Sequence, residues 1–380
     1  MISALVNGRI FTGEAWFDDH ALIIDGDRIR DLVPLAALPA DITRCDLGGR
    51  MLLPGLFDTQ VNGGGGALFN DAPSVATLRT IAAAHRQYGT TALLPTLISD
   101  DLAVVEKAIA AVEQAINEKV PGIVGIHLEG PFLNPARKGV HNAEKFRTID
   151  EAAFNLLTSL KVGKTLVTLA PELTTPEIIR RLVDAGVTVA AGHSAADYAQ
   201  TRAALAAGLS SFTHLFNAMT PFTSREPGMV GAALEDAESY CGIIVDGYHV
   251  HPATLKVAVA AKTKGRMVLV TDAMPTVGAA NKEFILNGEV IRSENGRCAT
   301  ATGTLAGSDL DMLSAVRNSV ALLGLELSEA VRMASVYPAA MMGLENELGS
   351  LKPGYKANMI LVDDELNLLN SWIDGQPEAR

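Results

Sequence analysis

Ile123-Val124-Gly125-Ile126-His127-Leu128-Glu129 is a short apolar run that ends in residues able to do chemistry, and the design recurs along the chain. Comparable runs occupy residues 52–58, 91–96, 165–170, 187–193, 211–214, 242–246 and 267–272. With 123–129 they make eight, each of strand length and most followed by room for a helix. One such helix is explicit. After Asp100, apolar residues fall at Leu102, Val105, Ile109, Val112 and Ile116, the 3-4-3-4 spacing of a single helical face. Repeated β-α units favour a parallel sheet covered by helices, and eight of them favour a closed (β/α)8 barrel. An open doubly wound sheet would carry a glycine-rich phosphate turn after its first strand. Gly63-Gly64-Gly65-Gly66 follows the first run but lacks the GxGxxG spacing, so the α/β fold expected is the barrel.

The two ends have a different rhythm. Asn7-Gly8 and Asp25-Gly26 each sit between apolar runs, the sequence pattern of tight hairpins. Near the other end, Lys352-Pro353-Gly354 precedes the apolar run 357–362, and Asp374-Gly375 follows another. The expected organisation is a small β-sandwich from residues 1–50 and 346–380, flanking a catalytic barrel at 51–345. Asn287-Gly288 and Asn295-Gly296 mark a β-hairpin insert near 283–304, between the last strand and its helix.

Composition narrows the class. Of 380 residues, 48% are hydrophobic and 19% charged, which excludes a disordered chain and supplies a large core. Against 43 acidic residues there are 31 Lys and Arg, a net charge of −12 that disfavours nucleic acid as a partner. Cys45, Cys241 and Cys298 are far apart without CxxC spacing, which excludes a disulfide scaffold or a cysteine-type zinc site and suits a reducing cytoplasm. The start, Met1 to Arg9, reads as neither signal nor transit peptide. The longest uncharged stretch, 203–224, holds His214, Asn217 and Pro221 and is a poor membrane span.

In a barrel all strand C-termini open on one face, where barrel enzymes keep their sites. Here the runs end in His127-Leu128-Glu129, Gly192-His193-Ser194, Thr213-His214-Leu215, Asp246-Gly247-Tyr248-His249 and Thr271-Asp272-Ala273. Singly, each has a plain structural reading: a hydrogen-bonded histidine, a turn, an N-cap. Five on one face are not explained that way. Glu129, His193 and His214 form a three-ligand set suited to a divalent transition metal, most simply Zn²⁺, with a fourth position left for water. Asp272 beside them can take that water's proton and later deliver it to a leaving nitrogen.

These residues also carry a family likeness. Leu53-Pro54-Gly55-Leu56-Phe57-Asp58 after a β-rich start, with Leu348-Gly349-Ser350-Leu351-Lys352-Pro353-Gly354 near the end, resembles the amidohydrolase superfamily. His127-Leu128-Glu129-Gly130-Pro131-Phe132, Lys138-Gly139-Val140-His141-Asn142, Thr213-His214-Leu215-Phe216-Asn217-Ala218-Met219, Arg225-Glu226-Pro227-Gly228 and Val270-Thr271-Asp272-Ala273 resemble its N-acetylglucosamine-6-phosphate deacetylases, in order and over nearly the whole chain. The resemblance implies the barrel with a sandwich built from both ends, and hydrolysis of the acetamide of an amino-sugar phosphate. It implies that His141 orients or polarises the amide carbonyl. It also implies that Val140, Asn217, Ala218, Arg225, Asp246, His249 and the turn Leu305-Ala306-Gly307 bind the sugar phosphate, and that subunits pair as a homodimer or homotetramer.

Where many amidohydrolases have His-x-His, this chain has Gln60-Val61-Asn62, so one Zn²⁺ per chain is expected rather than two. Two other readings stay open on sequence alone: an amidohydrolase for another amide, such as an N-acyl amino acid or cyclic ureide, and a non-catalytic barrel scaffold.

Overall fold

A computed structural model describes residues 2–378; Met1, Ala379 and Arg380 lie outside the described residues. Eight parallel strands form the central sheet: β1 (Leu56–Val61), β2 (Thr90–Ile98), β3 (Gly125–Glu129), β4 (Lys164–Leu169), β5 (Thr188–Ala191), β6 (Ser211–Phe212), β7 (Tyr240–Ile243) and β8 (Met267–Leu269). They pair strictly in chain order, the topology of a (β/α)8 barrel. Closure is incomplete as a ladder. Among the described residues β8 and β1 share no strand pairing, and the chain beyond β8 meets β1 at an isolated bridge, Val61 to Ala273.

Helices cover the outside. Leu102–Asn117 buries Val105, Ile109 and Val112, the face marked by the 3-4-3-4 spacing. Side-chain caps start several of them: Ser74 accepts from Thr77 N, Asp311 from Ser314 N, and Asp197 forms a capping box with Gln200.

Two further sheets make the small domain. Ile2–Val6 lies between His20–Asp25 and Thr43–Asp46, with Arg28–Pro34 outside. Met51–Pro54 lies between Arg9–Phe11 and Met359–Val362, so strands from both ends of the chain share a sheet. Leu5, Leu22 and Ile29 of the first sheet pack with Ile10, Leu52, Met359 and Trp372 of the second in one apolar cluster. The insert is a three-stranded meander, Glu283–Leu286, Glu289–Glu294 and Arg297–Ala299, turning at the two Asn-Gly pairs.

Two expectations change. Asn7-Gly8 does not close a hairpin: Ile2–Val6 and Arg9–Phe11 enter different sheets. Asn7 adopts φ 58° and its amide donates to Asp46, so the pair serves as a crossover between sheets. The run 52–58 is not one strand, because it splits at Gly55 between the second sandwich sheet and the barrel. A Cβ at Gly55 would lie 2.0 Å from Thr91 Oγ1, so only glycine lets the chain pass between them.

Gly125, at the start of β3, meets β4 as closely: a Cβ there would lie 2.1 Å from Lys164 O. Gly125→Ala is therefore expected to destabilise the fold by about 1–3 kcal/mol through overpacking, measurable as a lower urea midpoint with unchanged slope.

Candidate metal centre

The barrel strands end around a cavity of about 260 Å³. The pairing registers align Ile98 with Glu129 and Glu129 with Thr168, so the ends of β2, β3 and β4 stand level. Glu129 closes β3; His193 and His214 follow β5 and β6 by two residues each, and Asp272 lies beyond β8. All four line the cavity. His193, His214 and Asp272 leave their strands in left-handed backbone, with φ of 49°, 35° and 54°. Such conformations cost on the order of 1–3 kcal/mol each and persist only where the surroundings over-determine them.

The geometry at the centre is tight. Glu129 Oε1 lies 3.0 Å from His214 Nε2 and 3.3 Å from His193 Nε2, and the two Nε2 atoms are 3.0 Å apart. His193 Nδ1 is 2.8 Å from Arg137 O. A carbonyl only accepts, so Nδ1 carries the hydrogen and Nε2 presents a lone pair. Lone pairs converging on a carboxylate repel unless a cation or proton lies among them. Two imidazole nitrogens and a carboxylate oxygen, all within 4.8 Å of one another and buried, fit a divalent metal.

The charges are mutually dependent. Burial works against ionisation of Glu129, but the facing imidazoles of His193 and His214 hold its carboxyl well below the usual range. Burial opposes protonation of His214, and Glu129 outweighs it, raising that imidazole. Asp272 is raised, first by burial and then by the Glu129 charge. Gln60 Nε2 donates to Asp272 Oδ1 at 3.1 Å and lies 3.3 and 3.4 Å from the Glu129 oxygens, while Asn62 Nδ2 donates to Asp272 Oδ1 at 2.7 Å. The two amides thus turn N–H groups toward both carboxylates, while Asn62 Oδ1 is buried without a hydrogen-bond partner.

His141 is buried beside His193, ring centroids 4.4 Å apart. Ser99 N donates to its Nδ1 at 3.3 Å, which puts the ring hydrogen on Nε2. Burial, then the neighbouring His193, pushes it down to about 3, so the ring is neutral and a donor.

Val140, Asn217, Ala218, His249, Leu305 and Gly307 line the same cavity. Three residues singled out in the sequence do not. Asp246 stands behind His249, accepting its Nδ1 hydrogen bond at 2.6 Å. Ala306 is fully buried, and Arg225 is exposed on a loop. No Lys or Arg is among the described lining residues. Sequence reasoning missed Ile98, Ser99, Met274 and Thr304, which no motif distinguishes, and Asp58, whose signal is alternation with Gln60 and Asn62 along one strand.

Comparison with known proteins identifies the family. Residues 51–378 match the model of the amidohydrolase family, and residues 3–52 match that of the NagA composite domain. The chain is 47% identical to an N-acetylgalactosamine-6-phosphate deacetylase from Shewanella sp. (strain ANA-3), covering 89% of this chain and 85% of that one. It is 35% identical to an N-acetylglucosamine-6-phosphate deacetylase from Haemophilus influenzae, covering 98% of each. The crystal structure of N-acetylglucosamine-6-phosphate deacetylase from Pasteurella multocida superposes with a TM-score of 0.96 at 34% identity, over 100% of both chains.

Glu129→Gln and His193→Asn should each lower the divalent metal retained per chain by more than about tenfold, since outer-shell changes alone reach that size. Elemental analysis after dialysis, on protein whose circular dichroism is unchanged, measures it.

Proposed function

The chain belongs to the amidohydrolase family, and on that premise we propose that it removes the acetyl group from N-acetyl-D-glucosamine 6-phosphate, giving D-glucosamine 6-phosphate and acetate. The observation that carries the reading is one buried cavity joining Glu129, His193 and His214 to Asp272 and His141. A divalent cation held by the first three, read as one Zn²⁺ per chain, supplies activation of water and polarisation of the amide carbonyl. Asp272, held above the usual carboxylate range, takes the proton of the attacking water and returns it to the departing sugar nitrogen. His141 donates its Nε2 hydrogen to the carbonyl oxygen as that atom gains charge. Asn217, Ala218, Val140, Leu305 and Gly307 hold the sugar, with the buried Ala306 shaping the turn between the last two. Asp246 fixes the His249 ring through Nδ1 and leaves Nε2 for the phosphate.

A second reading, the galactosamine epimer of the same substrate, is favoured by the 47% identity to the Shewanella enzyme that bears that name.

A phosphate dianion needs a counter-charge that the described cavity lining lacks. Arg225 offers a bidentate fork. Its loop borders an apolar groove of about 940 Å³ in which Phe222 and Val257 are 65% and 68% exposed. A second copy of the chain covering that groove would bury these side chains, and in this reading the protein is a homodimer, or a homotetramer built from such pairs, in which Arg225 serves its neighbour's cavity. The free cysteines fit the reading of a cytoplasmic location, and no described helix is long and apolar enough to cross a membrane. The division into residues 1–50 with 346–380, and 51–345, is the working domain assignment.

Acetate release from both epimeric 6-phosphates and from the unphosphorylated sugars tests the substrate. The phosphorylated forms should be preferred by about 10²-fold or more in kcat/KM, and the better epimer decides between the two readings. Equal rates with and without phosphate would remove the phosphate-binding assignments. Arg225→Ala should raise KM about tenfold with little change in kcat. Val257→Asp should dissociate the oligomer in sedimentation and raise KM in the same way.

A further inference from the structure

Asp58 and Gln60 in β1 and Asn62 just beyond it occupy alternate positions, all buried, on the side of the chain that faces the barrel interior. Gln60 and Asn62 reach Asp272 directly. Asp58 does not, and the reaction described above makes no use of it. It is nonetheless a fully buried carboxyl, which packing alone would not select, since burying such a group is costly unless its hydrogen bonds are satisfied.

Besides Gln60 on its own strand, its partner is Thr271, across the seam between β1 and β8. Asp58 Oδ1 accepts from Gln60 N at 3.1 Å and from Thr271 N at 3.3 Å, and Oδ2 accepts from the Thr271 hydroxyl. Thr271 Oγ1 in turn accepts from Ala273 N at 3.2 Å, and Thr271 O accepts from Ser308 Oγ at 2.6 Å. Asp272 N donates to Gln60 O at 3.0 Å, and Asn62 N to Ala273 O at 2.9 Å. The residues on both sides of Asp272 are thus tied down, and Asp272 between them holds its left-handed φ of 54°. Where β1 and β8 lack a strand ladder, the Asp58 side chain joins these few backbone hydrogen bonds in bridging the seam.

We propose that Asp58 is a positioning residue for Asp272, clamping Thr271 across the barrel seam so that the next residue keeps the backbone that aims its carboxyl into the cavity. The inference rests on the reading of Asp272 as the proton-transferring group. A left-handed aspartate relaxes unless its neighbours over-determine it. A displacement of about 1 Å at a reacting group costs about 10²-fold in rate.

The test is a kinetic cycle on the metal-loaded, full-length protein. Asp58→Asn and Thr271→Val should each lower kcat about 10- to 100-fold, with KM and metal per chain unchanged. Thr271→Ser, which restores the hydroxyl, should recover most of the loss seen in Thr271→Val. The double variant should be no worse than the poorer single, because both break one link. If Asp58→Asn does not fold, the Thr271 pair carries the comparison. Near-full kcat in Thr271→Val, or losses that appear in KM and metal content instead, would overturn the proposal. Asp272→Asn measured alongside keeps the two levels apart. Its inactivity together with a fully active Thr271→Val removes this inference alone, whereas an active Asp272→Asn removes the reading beneath it.

Discussion

Three electron-rich atoms, one carboxylate oxygen and two imidazole nitrogens, are crowded to about 3 Å at the mouth of the barrel, and the rest of the site follows from that crowding. Left alone, the lone pairs repel; a cation among them turns the repulsion into ligation. The surroundings prepare for it. Arg137 O fixes the His193 tautomer, the left-handed turns at His193 and His214 accompany their entry into the cavity, and burial, followed by the Glu129 charge, raises Asp272.

The polar residues of β1 form the other half of the design. Asp58 and Gln60 on that strand and Asn62 just beyond it are buried at the barrel seam, and each is answered by a donor or acceptor across it. A barrel interior filled only with aliphatic side chains would pack as well, but it would not define where a carboxyl beyond β8 points. His127 shows the same economy one layer below, bridging Thr96 and Thr168 while burial keeps it neutral, pushed down to about 4.

Legibility in the sequence varied with the range of the forces involved. The helix 102–117 and the meander 283–299 were readable because apolar spacing and Asn-Gly turns act over a few residues. The split at Gly55 was not, because both halves are equally apolar and only the approach of Thr91 requires a glycine between them. Asn7-Gly8 carries a hairpin signal, yet the strands it joins find better partners in separate sheets. Among site residues, Glu129, His193, His214 and Asp272 announced themselves by ending apolar runs, whereas Ser99, which sets the His141 tautomer, has no local mark.

By itself the sequence determined the repeated strand-helix rhythm, the two β-rich ends and which residues stand at strand termini, because periodicity and chain order are local properties that survive into any packed arrangement. Tertiary structure alone decided that Asp246 stands behind His249 rather than on the cavity wall, that Arg225 lies outside it, and that Asp58 grips Thr271 across a gap of more than two hundred residues. Those outcomes depend on distances between segments remote in the chain, and such distances exist only once the barrel has closed.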